Sequence, residues 1–189
     1  MKTITCFITV MAMLFLTLFI PNTGLCLITM LSTEELVRQA DHIIIGEVIS
    51  TKCQWDAEHR LIYTFATVKV EENIKDISPA SHLTIRYLGG TVDNITLVAS
   101  GCCTLSKSEK VLLYLEKEDS NTFRILGNAL GKYQIIYDSK TNTEFVKNDF
   151  RSFAESGKEE DLQEKIRLED YSVEIRSILQ KTEQQGASE

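Results

Sequence analysis

The sequence predicts a mainly β fold, a small antiparallel barrel or sandwich preceded by a short helix and followed by a helical C-terminal segment. Three observations carry this expectation. Seven or eight short stretches rich in β-branched and aromatic residues lie between about 43 and 146, separated by turn residues at fairly regular intervals. No stretch in that region repeats with helical spacing. Beyond Phe150 the chain turns charge-rich, and Leu168, Tyr171, Ile175, Ile178 and Leu179 recur with helical periodicity.

Taken in order, Ile4 to Ile20 is uncharged and rich in Leu, Phe, Ile and Met, with Lys2 before it and Pro21, Asn22, Thr23 and Gly24 after it. That is the layout of a secretory signal, and residues 1–26 are assigned to it. Cleavage is expected after Gly24 or before Cys26. Leu25 is not small, which argues against a lipid on Cys26. Residues 27–147 are then expected to form one β-barrel domain, and 148–189 a helical segment and tail, with Thr182 to Glu189 disordered.

Ser32 and Glu35 have the spacing of a capping box, and Leu36, Val37 and Ala40 supply an apolar stripe, which predicts a helix from Thr33 to Gln39. The run Ile43–Ile49 reads as the first strand, with a bulge or bend at Gly46. A polar turn over Asp56–Arg60 leads to Leu61–Val70, where Tyr63, Phe65, Thr67 and Lys69 alternate with Ile62, Thr64, Ala66, Val68 and Val70, a second strand in a hairpin with the first. Leu83–Leu88 is a third strand, ended by a tight turn at Gly89-Gly90, and Ile95–Ala99 a short fourth. Lys110–Glu116, with the most apolar run outside the signal, is expected at the centre of the sheet. Thr122–Leu126, Lys132–Tyr137 and Glu144–Val146 are expected to close a meander, and helix is expected over 159–181.

Without Lys2, the 20 basic residues fall to 19 against 27 acidic ones, a charge near −8. A field of that sign argues against nucleic acid and anionic membrane surfaces as partners, and leaves membrane contact only to an uncleaved signal or a lipid anchor. Outside the signal, Cys26, Cys53, Cys102 and Cys103 would meet an oxidising compartment. Adjacent Cys102 and Cys103 would strain if joined to each other, so two pairings stay open, in which each takes one of Cys26 and Cys53. Loss of Cys26 would leave one thiol over.

The segments Ala40-Asp41-His42-Ile43-Ile44-Ile45-Gly46-Glu47-Val48, Tyr63-Thr64, Gly89-Gly90, Ser108-Glu109-Lys110-Val111-Leu112-Leu113-Tyr114-Leu115, Gly127 and Gly131-Lys132-Tyr133 together resemble a family of exported prokaryotic proteins of unknown function. More distantly, the region from Leu31 to Tyr137 resembles the netrin-like OB barrel of the tissue inhibitors of metalloproteinases. The resemblance implies an OB-like barrel and a disulfide from Cys26 to Cys102 or Cys103, since Cys26 precedes Asp41 by 15 residues as the inhibitors' first cysteine does. It also implies that a chain beginning at Cys26 would chelate a metalloprotease's zinc through its α-amino group and carbonyl. The inhibitors' Cys-x-Cys start is not present, and Leu27 follows Cys26 here.

The chemistry-bearing residues fit no enzyme signature. His42, His59 and His82 lack a metal-ligand spacing, and no G-x-S-x-G elbow, phosphate-cradling loop or Cys-x-x-Cys occurs. No metal or cofactor is expected, and the reading is a non-catalytic binding module acting outside the cytoplasm on another exported protein, a metalloprotease being the one the resemblance implies. Thiol redox or soft-metal binding at Cys102 and Cys103 is a further alternative. Trp55, at the hairpin tip, is the candidate contact residue, either anchoring a partner or folding back to cap the barrel. Asn94-Ile95-Thr96 has the pattern of a glycosylation sequon.

Overall fold

A computed structural model describes residues 31–76, 80–99, 101–148 and 166–186. Helix α1 (Thr33–Gln39) starts where the capping box places it, with the Ser32 hydroxyl accepting from the Glu35 amide at 3.2 Å and the Glu35 carboxylate accepting from the Ser32 amide at 2.7 Å. Its far end is closed from outside. The Lys75 ammonium donates to the carbonyls of Val37 at 2.8 Å, Arg38 at 3.2 Å and Ala40 at 2.5 Å, satisfying groups that a helix terminus leaves orphaned.

Ten strands follow among the described residues: β1 (His42–Trp55), β2 (Ile62–Lys75), β3 (His82–Leu88), β4 (Gly90–Val92), β5 (Ile95–Leu97), β6 (Lys110–Lys117), β7 (Thr122–Ile125), β8 (Lys132–Asp138), β9 (Thr143–Lys147) and β10 (Ile166–Arg167), then helix α2 (Leu168–Gly186). Strands β1-β2-β3-β7-β6 close on themselves through β1–β6 pairing into a five-stranded barrel of OB-like topology, antiparallel except for the parallel β3–β7 contact. Gly46 sits at a register shift between β1 and β2, where a Cβ would stand 2.4 Å from the Lys69 carbonyl oxygen. The bulge is therefore built on a missing side chain.

The expected meander past β6 does not form. One edge of β6 runs along β1, and the other is divided between β8, opposite Val111–Leu113, and β7, opposite Leu115–Lys117. β9 and β10 extend the sheet outward from β8. β1 and β2 are longer than expected, β4 is an additional strand, Ile166–Arg167, expected to be helical, instead pairs with β9 as β10, and residues 182–186, expected to be disordered, continue α2. Expected helix over 159–165 and the signal over 1–26 lie outside the described residues.

Two hydrophobic cores result. One fills the barrel, with Ile44, Val48, Ala66, Val68, Leu83, Ile85, Leu113 and Phe123. The other lies outside the barrel wall, where Ile43 and Ile45 of β1, Leu112 and Tyr114 of β6, and Tyr133 and Ile135 of β8 meet Leu36 and Val37 of α1 and Tyr171 and Ile175 of α2. The uninterrupted burial of β1 over His42–Gly46 and of β6 over Val111–Leu115 follows from this, since each stretch faces a core on both sides. Leu168, Ile178 and Leu179 pack at the edge of the outer core, so the helical spacing read from the sequence is the buried stripe of α2.

Candidate binding site

The β1–β2 hairpin projects beyond the barrel, and its turn is held by the Asp56 carboxylate, which accepts the amides of Arg60 at 2.7 Å and Leu61 at 3.2 Å. Those amide donors, Arg60's first, lower the Asp56 carboxyl below its ordinary range. Cross-strand pairing puts Cys53 and Trp55 on the same face as Thr64 and Ile62, the barrel-facing side. Trp55 is half-buried there, its ring stacked on His59 with centroids 6.2 Å apart. It stands on the side expected of a ring folded back over the barrel end.

The β4–β5 hairpin covers this extension. Gly89 donates to the Ile62 carbonyl at 2.8 Å, and its own carbonyl accepts from the Thr64 hydroxyl at 2.6 Å. Gly90 has φ +129°, and a Cβ on it would lie 2.4 Å from Thr64 Oγ1 and 2.6 Å from Cys53 Sγ. Only glycine fits both the backbone and the space. Because Gly89 lies between Ile62 on one side and Leu97 and Ala99 on the other, the hairpin brings Leu61 and Val98 to one rim. Three apolar side chains of these segments are open: Leu61 is 38 % exposed, Ile95 56 % and Val98 84 %. Asn94 is exposed at the hairpin turn. The sequence pointed to Trp55 at the tip of the first hairpin, whereas the exposure of Val98 depends on where the chain leaves β5.

Cys53, Cys102 and Cys103 are free thiols, so the expected bond from Cys53 to Cys102 or Cys103 is not formed. Cys53 is engaged elsewhere, in a row across the sheet. Cys53 of β1 lies beside Thr64 of β2, Sγ to Oγ1 3.3 Å, and Thr64 beside Tyr87 of β3. The Tyr87 hydroxyl in turn accepts from the Leu105 amide at 3.2 Å and holds the segment that carries Cys102 and Cys103. Cys26 lies outside the described residues.

Burial pushes the Cys103 thiol up to about 12 and that of Cys102 up as well, despite Lys132 near Cys103. Lys132 is committed elsewhere, to Glu109 at 2.7 Å and the Thr104 carbonyl at 2.5 Å. At neutral pH Cys103 is a neutral thiol, a poor nucleophile and a poor metal ligand. The histidines do not converge: His42 is buried at the start of β1 with its ring edge-on to Phe123, His59 lies in the β1–β2 turn, and His82 is exposed at the start of β3. Among the described residues, no three His, Cys, Asp or Glu side chains gather as metal ligands.

A second open surface, which the sequence reading did not single out, is the outward side of β1, β2 and β3. Cross-strand pairs arrange it in rows: Gln54, Tyr63 and Leu88; Lys52, Phe65 and Arg86; Ser50, Thr67 and Thr84. The Arg86 guanidinium lies 4.6 Å over the Tyr63 ring and pairs with Glu118. The signal for this face was the alternation of residues 62–70, which separates inward from outward side chains but does not say whether anything covers the outward set. No protein-family model matches the chain, and no curated protein matches it either.

Proposed function

We propose that the chain is a non-catalytic binding module that works outside the cytoplasm and engages another exported protein through the rim formed by the β1–β2 turn and the β4–β5 hairpin. The observation that carries this reading is Val98, 84 % exposed just past β5, with Leu61 at the β1–β2 turn and Ile95 on the β4–β5 hairpin exposed as well. Apolar side chains held open in this way on a soluble surface are characteristic of association sites. An extracytoplasmic site of action rests on the signal-like residues 1–26. Buried, protonated Cys103 argues against thiol chemistry. Metalloprotease inhibition turns on Cys26 and has no support from the described residues.

The test is retention of one protein from the extracytoplasmic fraction by the immobilised mature chain. Val98→Asp and Leu61→Asp should each abolish that retention with little change in thermal midpoint. Equal retention by the wild type and both variants would remove the rim from the reading, and no retained species would remove the reading itself.

A further inference from the structure

We infer that the outer edge of β5 is a docking edge, to which the exported partner adds an extended apolar segment free of acidic residues, an inference that rests on the rim proposed above and specifies what the rim takes. β4 and β5 form a two-stranded sheet, with β4 against β1 and β2 and β5 outermost. Asp93, with φ +52°, and Asn94 make a two-residue turn, so Val92–Ile95 is the closing hydrogen-bonded pair of the ladder. Pairs of the two kinds alternate from there, which makes Thr91–Thr96 a non-hydrogen-bonded pair. Its two hydroxyls lie 2.9 Å apart, as the closer approach of side chains in such a pair allows. The amide and carbonyl of Thr96 therefore turn away from β4, and among the described residues no strand pairs with them.

Exposed edges are ordinarily blunted, and this one is not. β10, at the edge of the large sheet, is two residues long and ends at Arg167, which is paired with Asp170. From Asn94 to Val98 the chain carries neither charge nor proline, and Ile95, Thr96 and Val98 are β-branched strand formers. The free groups of Thr96 call for a row of backbone donors and acceptors, which an extended segment offers and a helix surface does not. Ile95 and Leu97 lie on one side of β5, and Ile95 is largely exposed, so apolar side chains set opposite them take that surface out of water. A chain of net charge −7 with Asp93 exposed at the turn repels an acidic segment.

The test uses the protein that the immobilised mature chain retains from the extracytoplasmic fraction, and reads which groups hold it. Thr96→Pro deletes the outward amide while leaving the hydrogen bonds to β4 in place, and should weaken retention about tenfold or more. Thr91→Val loses the same hydroxyl contact from the β4 side and should retain the protein as wild type does. In the complex the Thr96 amide should exchange with deuterium at least about tenfold more slowly than in the free chain, a readout that stands if Thr96→Pro unsettles the hairpin. On the retained protein, the slowed amides should alternate along one stretch without Asp or Glu. If Val98→Asp abolishes retention while Thr96→Pro and the exchange of Thr96 show no effect, the docking edge is overturned and the rim stands without it. If Val98→Asp and Leu61→Asp also leave retention unchanged, both fall. The docking edge is overturned as well if no protein is retained, if the protected stretch is helical or acidic, or if the chain alone sediments as a dimer that Thr96→Pro dissolves, which would give the edge to a second copy.

Discussion

The outside of this barrel has two unlike halves. Where β1 begins and along β6 and β8, helices α1 and α2 lie over the wall, and Ile43, Ile45, Leu112 and Tyr114 point out of the barrel into a second core. Around β2, β3 and the far half of β1, the outward residues are Lys52, Tyr63, Phe65, Thr67, Thr84 and Arg86, with no helix against them among the described residues. The same strand can belong to both halves. β1 is buried on both faces from His42 to Ile45, and on leaving the helices its outward positions become Ser50, Lys52 and Gln54. Side-chain chemistry therefore records, residue by residue, which stretches of wall are covered.

If that contrast is energetic, an aromatic ring should matter far more on the covered side. Tyr114 is fully buried between the wall and α2, with its hydroxyl 3.0 Å from that of Tyr171 and its ring 5.9 Å from that of Tyr133. Tyr114→Ala removes a large buried side chain and one hydrogen-bond partner of the buried Tyr171 hydroxyl, and should cost about 3–5 kcal/mol in urea unfolding. That is a large share of the 5–15 kcal/mol typical of a domain. A loss below about 1 kcal/mol would mean that α2 contributes little to holding the wall, and the two halves would not differ in the way argued.

Much of this contrast was legible in the sequence. Ile43-Ile44-Ile45 and Val111-Leu112-Leu113-Tyr114-Leu115 are unbroken apolar runs and proved to be strands buried on both faces, whereas the strict alternation of 62–70 proved to be a strand with one open face. The capping box and the stripe of α2 were local patterns and were read correctly. What no local pattern encodes is long-range partnership. The parallel contact of β3 with β7 and the division of one β6 edge between β7 and β8 depend on how the barrel closes. The cysteines show the same boundary: an oxidising compartment favours disulfides in general, but which thiols meet depends on the folded chain, where Cys53, Cys102 and Cys103 are free.

The segment that carries Cys103, between β5 and β6, gives an intermediate case. Cys103 is held as a thiol up to about 12, against an ordinary value near 9, because burial disfavours the thiolate. The raised value means that the unfolded chain loses this proton first as pH climbs. The stabilisation is intact below about pH 9 and is lost progressively toward pH 12, by up to about 1.4 kcal/mol per pH unit. Tyr87 and Tyr171 are raised by burial too and steepen the wild-type slope. The informative quantity is therefore the difference from Cys103→Ala, which should lose less stability than wild type between pH 8 and pH 10.5. Parallel slopes would place Cys103 in contact with water and return the thiol readings to contention.

The smallest expected effect comes from the ring that most resembles Tyr114 in size and least in surroundings. Phe65 sits on the outward side of β2, between Lys52 and Arg86, and helps to fill neither core. Removing it in Phe65→Ala trades a good strand former for a poorer one and exposes a little more of its neighbours' stems, a cost of about 1 kcal/mol or less. Measured beside Tyr114→Ala under the same urea conditions, the two substitutions should differ by at least about 2 kcal/mol, although each deletes one aromatic ring from the barrel wall. A comparable loss at both positions would mean that something covers the open half in the folded chain.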